Sequence, residues 1–129
     1  MIPRRAITLI FTICCLLHVC CSTDQHTAEL ISHAESIAIE HPDSALSIIR
    51  SVIPNHIRGK HNKARYQLVY SEALYYNRIF SDNDSITRPM ANYYMTSDNH
   101  NERTRALYQH ANVLKSSGNN AEAMLNLMN

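Results

Sequence analysis

The sequence predicts an all-α fold of about three helical hairpins behind a short leader, and three observations carry that prediction. Apolar residues return at i, i+3, i+4 and i+7 spacing in six stretches of the chain. Proline and glycine punctuate these stretches, with Pro42, Pro54, Gly59 and Gly118 falling between them. No pair of alternating apolar and polar runs is joined by an Asn-Gly or Asp-Gly turn, so no β-hairpin is signalled.

The leader differs from the rest in composition. Arg4 and Arg5 precede an apolar run from Ala6 to Leu17, and the polar sequence begins at Ser22. That run has the length of a signal-peptide core and falls short of the roughly 20 residues needed to span a bilayer. Residues 1–20 therefore read as an export signal, with a retained short membrane anchor as the alternative. All four cysteines, Cys14, Cys15, Cys20 and Cys21, lie in or at the end of this segment, so no disulfide framework is expected in residues 23–129. Setting Arg4 and Arg5 aside leaves ten basic against eleven acidic residues with no basic tract, which argues against nucleic acid as a partner.

Each element has a local reason. Leu30, Ala34, Ile37 and Ala38 form the stripe of a first helix over about 25–40, which His41-Pro42 stops. Asp43 and Ser44 offer caps for a second helix, 43–53, whose stripe is Ala45, Ile48, Ile49 and Val52. A third helix, 61–78, carries Tyr66, Val69, Tyr70, Ala73 and Leu74. Ser81 to Asp84 make a turn before a fourth, 85–94, in which Pro89 predicts a late start or a kink. Ser97-Asp98 opens the fifth helix, 99–116, with Leu107, Ala111 and Leu114 on one face. Gly118 suits a left-handed helix end, Asn119 or Asn120 can cap the sixth helix, and Ala123, Met124 and Leu127 begin its stripe.

The helices repeat. Ala34, Ala73 and Ala111 stand 39 and 38 residues apart, and Ala45-Leu46, Ser85-Ile86 and Ala123-Met124 stand 40 and 38 apart. Such a period is the mark of stacked hairpins. On Leu107, Ala111, Leu114, Gly118, Ala123 and Leu127 the last unit resembles a tetratricopeptide repeat (TPR), with His110 where that family prefers leucine. Through AESIAIEHPDSALSII (34–49), ARYQLVYSEAL (64–74) and DSITRPMANYY (84–94), the chain resembles bacterial TPR-containing lipoproteins. The resemblance implies a short helical-hairpin solenoid, TPR-like, and lipid attachment at Cys21 or Cys20. Relatives of this kind are usually longer, and Met124, Leu125, Leu127 and Met128 form an apolar end. Either the chain is truncated, or that end docks on a partner or a second copy.

Chemistry is sparsely signalled. Eight histidines occur without a His-Glu-x-x-His arrangement or a cysteine beyond the leader, so they read as isolated surface residues and no metal is expected. No nucleophile elbow or Gly-rich phosphate loop occurs, so no catalytic residue or cofactor is assigned and the chain reads as a non-enzyme. The seven tyrosines read mainly as packing residues with hydroxyls at the rim. Carried over by the TPR resemblance, the groove register runs through Ala28, Ile31, Glu35 and Ala38, then Gln67, Tyr70, Leu74 and Asn77, then Arg105, Tyr108, Asn112 and Lys115. The expected partner surface is Tyr70, Asn77, Arg105, Tyr108, Asn112 and Lys115. The expected function is a non-catalytic protein-interaction scaffold, exported and lipid-anchored at the cell envelope, that takes a peptide or partner helix. The alternative is the sensory half of an envelope signalling or transcription regulator whose output module is absent from this chain.

Overall fold

The structure, a computed structural model, describes residues 24–128. The export signal and both candidate lipid cysteines, Cys20 and Cys21, lie outside the described residues. Six helices and no strand are found among those described. They are α1 (24–37), α2 (Pro42–Ser51), α3 (Lys60–Tyr76), α4 (Thr87–Tyr94), α5 (His100–Ser116) and α6 (Asn120–Met128), with a single 3-10 turn at Pro54–His56. The all-α expectation holds, and most boundaries fall within two residues of those read from the pattern.

Where the ends differ, the cause is local. Neither Asp43 nor Ser44 caps α2: His41 holds the cap position without a side-chain bond, and Pro42 occupies the first turn. Proline is preorganised there, and its missing N–H is one the helix leaves unpaired anyway. The same logic moves the start of α4 to Thr87, which places Pro89 third in the helix. Asn99, not Ser97 or Asp98, caps α5 by accepting from the amides of Asn101 and Glu102, while Ser97 Oγ accepts from Asn99 N.

Two helix ends are built alike. After α5, Asn119 N donates to Leu114 O (2.8 Å) and Gly118 N to Lys115 O (3.1 Å), with Gly118 at φ 82°. After α3, Ile79 N donates to Leu74 O (2.9 Å) and Arg78 N to Tyr75 O (2.9 Å), with Arg78 at φ 58°. Both are the six-to-one and five-to-two bond pair of a Schellman end, which wants glycine at the left-handed position. Arg78 is the described non-glycine residue at positive φ. Arg78→Gly is therefore expected to stabilise the fold by about 1 kcal/mol, read as a higher urea midpoint. A lower midpoint would show that the arginine side chain contributes more than its backbone strain costs.

The core forms three clusters that step along the chain. Ile31, Ala34 and Ala38 meet Ala45, Leu46, Ile49, Val69 and Ala73, joining α1, α2 and α3. Ala64, Leu68, Met90, Tyr94 and Ala106 join α3, α4 and α5. Ala111, Leu114 and Ala123 join α5 and α6. Beyond consecutive pairs, α3 also packs on α5. Ala34, Ala73 and Ala111 are all buried, as their spacing suggested, but Ser85 is exposed and precedes α4. The buried small residue of the second hairpin is Thr87, two places later, because the α3–α4 loop is longer than the other hairpin turns.

Candidate functional site

Four charged residues link the odd-numbered helices. Arg105 on α5 places Nε 2.7 Å from Glu72 Oε1 and Nη2 2.6 Å from Glu72 Oε2, a two-pronged pairing with α3. The same Nη2 donates to Glu35 Oε1 on α1 at 2.9 Å. Arg65 on α3 donates to Glu35 Oε2 from Nε at 3.1 Å and from Nη2 at 2.7 Å. Each of the four adjoins a buried alanine, namely Ala34, Ala64, Ala73 and Ala106. That placement sets them at the edge of the packed stripe, where the backbones come close. Burial alone would raise the Glu35 pKa, but hydrogen bonds and charge from Arg65 and Arg105 outweigh it and hold the carboxyl below its ordinary value. The bond from Glu72 strengthens the hold of Arg105 on its proton, against the opposing effect of burial.

Beside this ladder lies a cleft of about 70 Å³ between the C-terminal halves of α3 and α5 and the loop that follows α3. Tyr70, Leu74, Ile79, Phe80 and Val113 give it apolar walls. Asn112 also lines it, and the Nδ2 of Asn112, screened from solvent, has no hydrogen-bond partner among the described residues. An aromatic shelf continues outward from the cleft. The Tyr75 ring meets Tyr76, Phe80 and Tyr108 edge-on at centroid distances of 5.6, 6.3 and 5.7 Å. The Tyr75 and Tyr108 hydroxyls share a bond of 2.9 Å. Phe80 is 65% exposed and Tyr108 41%. A wider hollow of about 540 Å³ bordered by Lys60, Lys63 and Gln67 holds no buried, unpartnered polar atom.

The structure separates the six residues of the expected surface. Arg105 is committed to Glu72 and Glu35 and offers no free fork of donors. The Nδ2 of Asn77 donates to Pro42 O and Ala73 O, both at 2.7 Å, and so ties α3 to the start of α2. Tyr70 is half-buried, stacked on Tyr66 and packed against the first core cluster, with one edge in the cleft. Tyr108, Asn112 and Lys115 remain together on α5, at helical spacing and on one face. Of the wider register, Ile31 and Ala38 are core residues rather than groove lining. Arg65, Glu72 and the loop wall of Ile79 and Phe80 went unanticipated. The signal for the first two was a charge set beside each buried alanine.

His110 corrects the view of the histidines as surface groups. It is buried, with Nδ1 3.1 Å from Thr87 Oγ1 on α4. Burial pushes its pKa down, and the nearby Arg88 charge adds to this, against the weaker pull of Asp84 and Glu122. Arg88 itself bridges Asp84 at 2.6 Å and Glu122 of α6 at 2.9 Å. A histidine with a depressed pKa favours the folded state only while neutral. Its contribution is whole above the ordinary value near 6.5 and is lost as pH falls through the lower folded pKa. The urea midpoint is thus expected to drop between pH 7.5 and 5.5, and the drop should shrink in His110→Leu. An equal drop in that variant would place the titrating group elsewhere.

Tyr94 is buried with an unpartnered hydroxyl, and burial with the charge of Glu102 pushes its pKa up to about 12, so it stays a neutral phenol. Among the described residues no group of three or more His, Cys, Asp or Glu could hold a metal ion. No described helix is long and apolar enough to cross a membrane. Comparison with protein-family models, with curated proteins and with solved structures returns no match.

Proposed function

We propose that the chain is a non-catalytic protein-interaction module of the bacterial cell envelope, held to a membrane surface by lipid on Cys21 or Cys20, and that it binds an extended peptide or partner helix through the α5 face. The observation that carries this reading is the aromatic shelf. Tyr76, Phe80 and Tyr108 lie together at the surface, and exposed aromatic rings with a polar tip are favoured contact groups at protein interfaces. Lys115, exposed and in no ion pair among the described residues, stands two turns along α5 from Tyr108 and offers a charged donor. A TPR-like stacking of the three hairpins supports a rigid presenting surface. The three buried alanines and the matched ends after α3 and α5 both favour such stacking. In this arrangement the partner's backbone follows the groove and its side chains supply selectivity.

The test is in-cell crosslinking of the tethered protein followed by recovery of bound partners. Tyr108→Ala combined with Lys115→Ala should reduce the recovered partner at least tenfold, with helical circular dichroism unchanged. Undiminished recovery would sink the proposal.

A further inference from the structure

We infer that the end of the domain formed by the start of α1, the α2–α3 connection and the first turn of α3 docks on an anionic phospholipid surface; this rests on the lipid-anchored reading above and adds the orientation in which the domain is held. Charge is balanced over the chain but uneven along it. From Ser44 to Ser71 no Asp or Glu occurs, while Arg50, Arg58, Lys60, Lys63 and Arg65 do. Arg65 is engaged by Glu35. Arg58 lies 3.9 Å from Asp24, in a pair whose side chains are 69% and 41% exposed, so it is a loose surface contact. Lys60 and Lys63 are exposed and in no ion pair among the described residues. Both sit in the first turn of α3, where the helix dipole disfavours cations and neither an acidic residue nor a side-chain cap offsets them. These two charges cost the fold something rather than hold it together.

The helix order sets them beside the tether. Asp24 meets Arg58 and Ser32 meets Arg65, so α1 and α3 run in the same direction and start nearly level. Glu72 meets Arg105 and Tyr75 meets Tyr108, which sets the start of α5 about two turns back, roughly 10 Å at 1.5 Å per residue. The projecting end is therefore that of α1 and α3. Cys21 stands three residues before Asp24. That length of chain reaches at most about 11 Å, comparable with the Debye length of about 8–10 Å at physiological salt. Lipid on Cys21 thus holds the cations where headgroup charge still acts on them.

An apolar residue completes the surface. Ile53, in the α2–α3 connection, is 55% exposed, while Val52 and Ile57 on either side pack against the first core cluster and fix the connection. An exposed aliphatic side chain among cations suits the headgroup boundary of an anionic bilayer. An acidic protein could meet the same charges, but the tether keeps the membrane at a high effective concentration, which favours the bilayer.

The test uses the full chain with labelled isoleucine methyls, in nanodiscs of phosphatidylcholine and phosphatidylglycerol carrying a gadolinium-chelating lipid. Ile53 is compared with Ile39 and Ile79, which follow α1 and α3 at the opposite end and are themselves 75% and 44% exposed, so access to solvent does not separate them. The Ile53 methyl should be broadened several-fold more than the other two. That contrast should fall in discs without phosphatidylglycerol, and in salt of about 0.5 M. Lys60→Gln with Lys63→Gln should lower the docking equilibrium about thirtyfold, roughly fivefold for each cation, with helical circular dichroism unchanged. Equal broadening of the three methyls in anionic discs would overturn the inference, as would a contrast indifferent to lipid charge, salt or the double variant. Failure of the anchor reading looks different. The chain would then leave anionic discs in high salt while showing the Ile53 contrast in low salt, which still supports the docking face. A chain that binds the discs in neither condition overturns both.

Discussion

Arg105→Ala is expected to destabilise the fold by about 3 kcal/mol, read as a lowered urea midpoint at pH 7. The figure is at the low end of what removing one partner of a buried ion pair costs, because part of the guanidinium reaches solvent. The loss comes less from the missing attraction than from Glu72, whose side chain is 7% exposed and would be left buried without its two-pronged donor. Replacing both residues by apolar ones, Arg105→Met with Glu72→Leu, should recover most of the loss, since a well-packed apolar pair can match a buried salt bridge. A cost below about 0.5 kcal/mol for Arg105→Ala would mean that the pair behaves as a surface contact. The network also has an acid limit. Its Glu35 contribution is whole above the carboxyl's ordinary value of 4.5 and disappears as pH falls through the depressed folded value, so the gap between wild type and Arg105→Ala should narrow there.

Leu68→Ala is expected to cost about 3–4 kcal/mol. Leu68 is 1% exposed and sits where α3, α4 and α5 meet, among Met90, Tyr94 and Ala106. The side chain leaves a cavity that three separate helices must close together, and Tyr94, itself fully buried, has little room to turn inward. Against a typical total of about 5–15 kcal/mol, a loss of that size brings the unfolded state close to being populated at 37 °C. Thermal unfolding followed at 222 nm checks it. A shift of only a degree or two would show that α4 collapses onto the gap.

The helices were legible because punctuation and periodicity agree. Pro42, Gly59 and Gly118 lie at helix ends, and Pro89 pushes α4 to a later start. The alanine period was legible too, since close backbone contact admits little else at Ala34, Ala73 and Ala111. What escaped depends on partners far away in sequence. Arg78 adopts a left-handed conformation that its residue type does not advertise, so the third helix read as running through residue 78, with the turn at Ser81 to Asp84. With it went the Ile79–Phe80 wall and the cleft. A charge beside an apolar stripe normally reads as solvated. Only the approach of α1, α3 and α5 reveals that Glu35, Arg65, Glu72 and Arg105 satisfy one another. The reverse error befell His110, a polar residue on an apolar face whose partner, Thr87, lies across a helix contact.

Glu35 accepts from guanidiniums 30 and 70 residues further along, and the second of these ties the first hairpin directly to the third. Stacked hairpins joined only to their neighbours fray from both ends, each opening at its own free energy. A bond that skips a hairpin removes that freedom: α1 cannot detach without stripping a counter-ion from α5. Slow amide exchange in α1 and α5 should therefore be lost together, at one denaturant concentration. The α6 helix lies outside this closed circuit, held by packing on α5 and by the exposed Arg88–Glu122 pair. Among the described helices, α6 is expected to open at a lower free energy than α1 and α5.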